Sequence, residues 1–185
     1  MNLVDWRDAP LSDAKRVLVI GCSGAGKSTF SAALAQALGL PHIPMDRDFF
    51  WLPGWKLRDR AAIRRMMAEA AAGERWIMDG NSAGTLDIRL PRTDLVVWFR
   101  LSRWLCLSRV VRRWWRHAGT VRPGMAAGCP EKIDLEFLRY IWNFEKNETP
   151  EITGQIEMHR PDVPVVVLRH YADADALLAR LKTPV

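Results

Sequence analysis

The sequence predicts an α/β protein in which a parallel β-sheet is covered by helices on both faces. Short apolar runs rich in valine and isoleucine alternate with longer helix-forming segments, which is the pattern of strands buried on both faces. A glycine-rich turn also follows the first apolar run, where a strand would pass into a helix. With 185 residues and 49% apolar side chains, we expect a single domain over residues 1–185.

Five strands are predicted from β-branched apolar runs, at 15–20, 40–45, 75–79, 94–100 and 163–168. Helices are predicted at 28–38, 58–72 and 102–118, from helical spacing or helix-forming composition, and after Asp173, which is the expected N-cap of the last helix. An irregular aromatic stretch occupies 49–55. A mobile flap is predicted at about 117–133, where three glycines and Pro123 interrupt any periodicity.

Composition narrows the class of protein. No apolar stretch approaches the roughly 18 residues of a membrane-spanning helix, so we expect a soluble cytoplasmic protein without a membrane partner. The three cysteines have no zinc-site spacing and are expected to be reduced. The net charge of +6 favours a phosphate-rich partner: a nucleotide, a phosphorylated metabolite or a nucleic acid.

Residues 21–28 fit the pattern G-x-x-x-x-G-K-[ST] of a phosphate-binding loop, between a predicted strand and a predicted helix. Backbone N–H groups of such a loop surround phosphate oxygens, the lysine reaches the β and γ phosphates, and the serine hydroxyl ligates Mg²⁺. The predicted cofactors are therefore ATP and Mg²⁺. The expected nucleotide-binding residues are Gly21, Ser23, Gly24, Ala25, Gly26, Lys27, Ser28 and Thr29.

A second metal-binding acid is predicted at the end of the third strand. Asp79 ends an apolar run and precedes Gly80, so its carboxylate would lie beside the loop and hold Mg²⁺ together with Ser28. The alternative is an aspartate that only caps a turn.

Four arginines are spaced by three and four residues between 102 and 118, which places them on one helix face: Arg109, Arg112, Arg113 and Arg116. Arg109 and Arg113 are the preferred nucleotide contacts, since guanidinium groups bind phosphate and stack on a base. The alternative is a solvated basic face. The tryptophans of the opposite face, Trp104, Trp114 and Trp115, are predicted to pack in the core.

The acceptor side is less sharply defined by the sequence. Asp46 follows the second strand and either orients an acceptor hydroxyl or caps a turn. Trp51 and Trp55 either line an acceptor pocket or cover the core. Arg89 either holds an anionic acceptor or pairs with Asp87 or Asp94 on the surface.

These motifs resemble the adenylate-kinase-like group of P-loop kinases. The segments Asp79-Gly80-Asn81, 89–94 and 128–134 also resemble bacterial topology modulation (FlaR-related) proteins. The resemblance implies a P-loop NTPase three-layer sandwich, with a five-stranded parallel sheet ordered 2-3-1-4-5 and a helical lid. Nucleoside monophosphate kinases usually have Phe-Pro-Arg after Asp-Gly, whereas this chain has Asn81-Ser82, which leaves the acceptor open.

The leading hypothesis is transfer of the γ-phosphoryl group of ATP to a small acceptor, which is a nucleoside, a nucleotide or a hydroxylated metabolite. Lys27, Arg109, Arg113 and Asp46 are the predicted catalytic residues. The alternative is a regulator that binds DNA and uses ATP as a switch; nucleic acid is the less favoured partner because no helix-turn-helix or basic tail is found.

Overall fold

A computed structural model describes residues 1–122 and 124–181 of the chain. Its strands are β1 (Asn2–Val4), β2 (Arg16–Gly21), β3 (His42–Pro44), β4 (Trp51–Leu52), β5 (Lys56–Leu57), β6 (Trp76–Asp79), β7 (Leu95–Phe99) and β8 (Pro164–Leu168). Its helices are α1 (Lys27–Leu38), α2 (Arg60–Ala71), α3 (Leu86–Arg89), α4 (Arg103–His117), α5 (Leu135–His159) and α6 (Tyr171–Arg180). None of the helices in this part of the chain is long and apolar enough to cross a membrane.

Six parallel strands form the central sheet, in the order β1-β8-β7-β2-β6-β3. The central strands are buried on both faces, as their continuous apolar composition requires. All five predicted strands are present, and they lie in the predicted order. The predicted strand count is wrong, because β1 adds a sixth strand beside β8, with Leu3 opposite Val165. Three residues at a sheet edge are too few to give a periodic signal.

Helix ends follow the expected chemistry with one correction. Helix α1 ends at Gly39, whose φ of 61° is left-handed, and Asp59 caps α2 by accepting from the Ala62 N–H at 3.0 Å. The N-cap of α6 is His170 and not Asp173. Asp173 lies one turn inside the helix, where its carboxylate accepts from the His170 N–H at 3.1 Å.

Helix α4 packs differently from the prediction. It buries only Cys106 and Val110, and these lie against Gly24 of the glycine-rich loop, where an added Cβ would clash with the Cys106 carbonyl. Trp104 and Trp115 are 67% and 80% exposed, so the prediction that the α4 tryptophans belong to the core is wrong. The helix contacts the loop closely through its small residues, and this turns its tryptophan face toward solvent.

The flap connects α4 to α5 and packs on the hairpin of β4 and β5. The Gly54 N–H donates to the Gly128 carbonyl at 2.8 Å, and Trp55 Nε1 donates to the Pro130 carbonyl at 2.9 Å. Met125, Ala126 and Cys129 form a small apolar cluster with Trp51 and Trp55. The predicted helical lid is therefore wrong in detail: in its described residues the flap is a chain of turns with one bridge between Ala118 and Glu131, while Pro123 lies outside them.

Candidate functional site

A cavity of about 880 Å³ opens where β2, β3 and β6 end. Ligand sites of α/β sheets lie at this edge, and the volume is within the range of small-molecule pockets. Most of the predicted site residues line it: Ser23, Gly24, Gly26, Lys27, Ser28, Thr29, Asp46, Asp79, Arg109 and Arg113. Gly21 and Ala25 do not line the cavity, since both are buried in the loop beneath it.

The glycine-rich loop joins β2 to α1 as the pattern predicts. Gly26 has a φ of 88°, and a Cβ there would clash with the Tyr171 hydroxyl, which donates to the Ala25 carbonyl at 2.6 Å. Only glycine combines this backbone conformation with so close a neighbour. Lys27 Nζ donates to the Gly21 and Cys22 carbonyls at 2.7 and 2.9 Å. Desolvation lowers the pKa of Lys27, and the Asp46 carboxylate opposes that shift.

Cys22 is buried inside the loop. A hydrogen bond with Cys106 and burial of the thiol both raise the pKa of Cys22. A raised pKa keeps the group in its less nucleophilic thiol form, so the structure favours a packing role for Cys22.

Asp79 ends β6 and lies within the cavity wall, 3% exposed. Its Oδ1 is 3.5 Å from His42 Nε2, and its Oδ2 is buried without a hydrogen-bond partner. A buried carboxylate oxygen without a partner is costly unless a ligand satisfies it. The Asp79 Oδ2 atom is therefore available as a ligand for a divalent cation.

Asn81 holds the first residue of the loop, a function that the sequence analysis missed. Its Oδ1 accepts from the Gly21 N–H at 2.8 Å, and its Nδ2 donates to the Gly21 carbonyl at 2.7 Å. This pair joins the end of β6 to the end of β2, and Tyr140 on α5 contacts the same amide at 3.4 Å. The sequence signal was the departure from Phe-Pro-Arg after Asp79-Gly80.

Arg89 is fully buried beneath the cavity and does not line it. Its guanidinium donates to the carbonyls of Gly80, Asn81 and Ser82, and burial lowers the pKa of Arg89 to about 9. Both interpretations made from the sequence are therefore wrong. The arginine holds no acceptor, and the carboxylates proposed as its partners pair elsewhere: Asp87 with Arg64 and Asp94 with Arg16.

The arginines of the predicted α4 face also line the cavity. The Arg109 guanidinium lies over the Tyr171 ring, 4.0 Å from its centroid. Arg113 donates to Glu131 Oε1 at 2.7 Å, and Arg122 of the flap is 2.9 Å from Glu131 Oε2. The two arginines therefore share one carboxylate.

Asp46 begins a π-helical turn after β3 and is exposed to solvent inside the cavity. The enclosing protein and the Asp79 carboxylate raise the pKa of Asp46, while Lys27 opposes the shift. Trp51 and Trp55 line the same end and pack edge-to-face, 5.2 Å apart. They also pack against the flap cluster, which is separate from the main core, so they line the cavity without covering that core.

Comparison with known proteins gives one relative in sequence and several in structure. No known protein-family model matches the chain. The uncharacterized protein YqaC of Bacillus subtilis (strain 168) is 32% identical over 129 residues, which cover 68% of this chain and 70% of YqaC. The chain belongs to the YqaC family.

This member of the YqaC family has the fold of P-loop kinases. A shikimate kinase from Acinetobacter baumannii, in complex with shikimate, has a TM-score of 0.56 at 18% identity and covers 93% of each chain. A shikimate kinase from Bacteroides thetaiotaomicron has a TM-score of 0.54 at 19% identity, covering 91% of this chain and 96% of that one. A gluconokinase from Sinorhizobium meliloti 1021 has a TM-score of 0.50 at 22% identity, covering 90% and 92%. At these identities the similarity establishes the fold.

Proposed function

We propose that this protein is an ATP- and Mg²⁺-dependent phosphotransferase that moves the γ-phosphoryl group to a small hydroxylated acceptor. One observation carries the proposal: the glycine-rich loop, the α4 arginines and Asp46 all line a single cavity. A donor site and an acceptor site within one enclosed volume is what phosphoryl transfer requires, because its catalysis is mostly positioning and charge stabilisation. The kinases of similar fold support the same reaction class.

The donor half follows from the loop. The loop N–H groups and the N-terminus of α1 would hold the phosphates, and Lys27 would turn from the Gly21 and Cys22 carbonyls toward them. Arg109 and Arg113 would balance negative charge on the transferred group. Closure of the flap against the hairpin would keep water from the reacting phosphate.

The residues present fit a magnesium ion. Asp79 Oδ2 is buried without a partner, and the Ser28 hydroxyl lies in the same cavity at the start of α1. Magnesium takes most of its ligands from phosphate oxygens and water, so these two protein oxygens would be enough. Bound there, the ion would neutralise phosphate charge.

The acceptor half favours a compound that carries hydroxyl groups. Asp46 would orient an acceptor hydroxyl, or accept its proton as a bond forms to phosphorus, and Trp51 and Trp55 offer aromatic walls. Since Arg89 is buried away from the cavity, it gives no site for an acceptor anion. A nucleoside or a hydroxylated metabolite is therefore better supported than a nucleotide.

The test is incubation of Mg·ATP with panels of nucleosides, nucleotides and hydroxylated metabolites, followed by a search for a phosphorylated product. A product with wild-type protein and none with Lys27→Ala supports the proposal. The same variant should lose the stabilisation by Mg·ATP, about 2.7 kcal/mol at a hundred times the dissociation constant. ADP without any acceptor product would favour an ATPase, and an unchanged stabilisation in Lys27→Ala would refute the assignment of the loop.

A second candidate is a nucleotide-switched regulator that binds nucleic acid, as the resemblance to topology modulation proteins suggests. The exposed tryptophans and neighbouring arginines of α4 favour it, because aromatic side chains stack on unpaired bases and arginines bind phosphates. Binding of single-stranded and duplex DNA, measured at several salt concentrations with and without ATP, tests it. A steep loss of affinity with salt is expected of a true binder, and negligible binding at low salt removes the candidate.

A further inference from the structure

Glu131 is an acidic side chain in the cavity wall with no role in the proposed function so far. Its side chain is 3% exposed, and its two carboxylate oxygens contact different arginines. Oε1 accepts from Nε of Arg113, and Nη2 of the same guanidinium lies at 2.7 Å from it. Oε2 lies 2.9 Å from Nε of Arg122. The carboxylate thus joins a residue of α4 to a residue of the flap.

The two arginines lie beside the other charged groups of the cavity. Lys27, Arg113 and Arg122 line the same cavity as Asp46, and their positive charges oppose the rise in the pKa of Asp46 that burial causes. Burial and the charge of Arg122 lower the pKa of Arg113, which reflects the repulsion between two adjacent guanidinium groups. A shared carboxylate is what allows both cations to remain together at the cavity wall.

Glu131 is also fixed by its backbone. Its N–H donates to the Thr120 carbonyl at 2.8 Å, and the neighbouring Pro130 carbonyl accepts from Trp55 at 2.9 Å. These two hydrogen bonds fix the backbone at Glu131 against Thr120 and the hairpin. When the flap lies on the hairpin, Glu131 is placed where it can hold both arginines.

We propose that Glu131 is a positioning residue that presents Arg113 and Arg122 as one paired binding site for the phosphoryl group in transfer. The inference rests on the proposed function and adds Arg122 to its catalytic residues. A guanidinium carries five N–H donors. Glu131 contacts Nε and Nη2 of Arg113 and Nε of Arg122. Nη2 of Arg122 contacts Met125 Sδ at 3.7 Å, so the Nη1 groups are the donors that would bind phosphate oxygens. Glu131 takes no part in bond making and acts through the arginines alone.

The experiment compares binding of Mg·ADP with binding of Mg·ADP plus aluminium fluoride, which mimics the phosphoryl group in transfer. Glu131→Gln keeps the side-chain size but removes the negative charge that pairs with both arginines. We expect this variant to bind Mg·ADP like wild type and to bind the fluoride complex at least about tenfold more weakly, because the lost interaction belongs to the transition state. The matched control is Glu145→Gln, which removes a carboxylate from the Arg100 pair outside this cavity and should leave both affinities unchanged.

A double-mutant cycle with Arg113→Met separates positioning from general stability. If Glu131 acts through the arginines, Glu131→Gln should cost much less in the Arg113→Met background than in wild type. If Glu131→Gln fails to fold, Arg113→Gln and Arg122→Gln take its place, and each should weaken the fluoride complex more than Mg·ADP. Equal loss for both ligands, or full additivity in the cycle, would overturn the inference. Wild-type protein that binds no Mg·ADP would instead overturn the proposed function.

Discussion

Replacing Asn81 with alanine tests whether the hydrogen bonds between β6 and the glycine-rich loop hold that loop in shape. The substitution removes the bonds to the Gly21 N–H at 2.8 Å and to the Gly21 carbonyl at 2.7 Å. The carbonyl keeps Lys27 Nζ as a donor, whereas the buried N–H loses its acceptor. The lost bond to the carbonyl costs about 1 kcal/mol and the N–H left without an acceptor about 1–3 kcal/mol, so we expect a loss of about 2–4 kcal/mol in the free energy of unfolding.

The measurement is thermal and urea unfolding, together with titration by Mg·ATP. For a chain of this size the expected loss lowers the melting temperature by about 4–16 °C. Mg·ATP affinity should also fall, because Gly21 is the first residue of the loop. Asn143→Ala is the matched control: that side chain is half-buried, and its hydrogen bond to the Arg139 carbonyl within α5 is exposed to solvent, so its effect should stay within about 0.5 kcal/mol. The reasoning fails if Asn81→Ala is as stable as this control and binds Mg·ATP like wild type.

Two further predictions concern the acids of the cavity. Asp79→Asn should bring the affinity for Mg·ATP close to that for ATP in EDTA and leave metal-free binding unchanged, because the buried oxygen that would face the ion becomes part of an amide. Calorimetry with and without Mg²⁺ measures both affinities, and Asp13→Asn, at an exposed position, is the control. If Mg²⁺ strengthens ATP binding to Asp79→Asn as much as to wild type, the prediction is wrong. For Asp46, the raised pKa means that activity that needs its ionised carboxylate should fall as pH decreases, beginning at a higher pH than for an ordinary carboxyl. The pH profile of ADP formation should lose this acidic limb in Asp46→Asn, and an identical limb in the variant would exclude the role.

The sequence was sufficient wherever the signal lay in neighbouring residues. A continuous apolar run predicts a strand buried on both faces, and the glycine spacing of 21–28 predicts the loop, because strand formation and loop conformation both depend on the local pattern of residues. For the same reason Asp46 and Asp79 were placed at strand ends without any structure. The order of the five predicted strands, which the family resemblance implied, was confirmed as well.

Only the tertiary structure decided which polar side chains face the cavity. Arg89 and Arg113 look alike in the sequence, yet one is buried against backbone carbonyls and the other shares Glu131 with the flap. The tryptophans of α4 are exposed because the helix packs on the glycine-rich loop through Cys106 and Val110, a contact between segments some 80 residues apart. The sequence of a helix shows that the helix is amphipathic, but the packing of neighbouring segments determines which of its faces is buried.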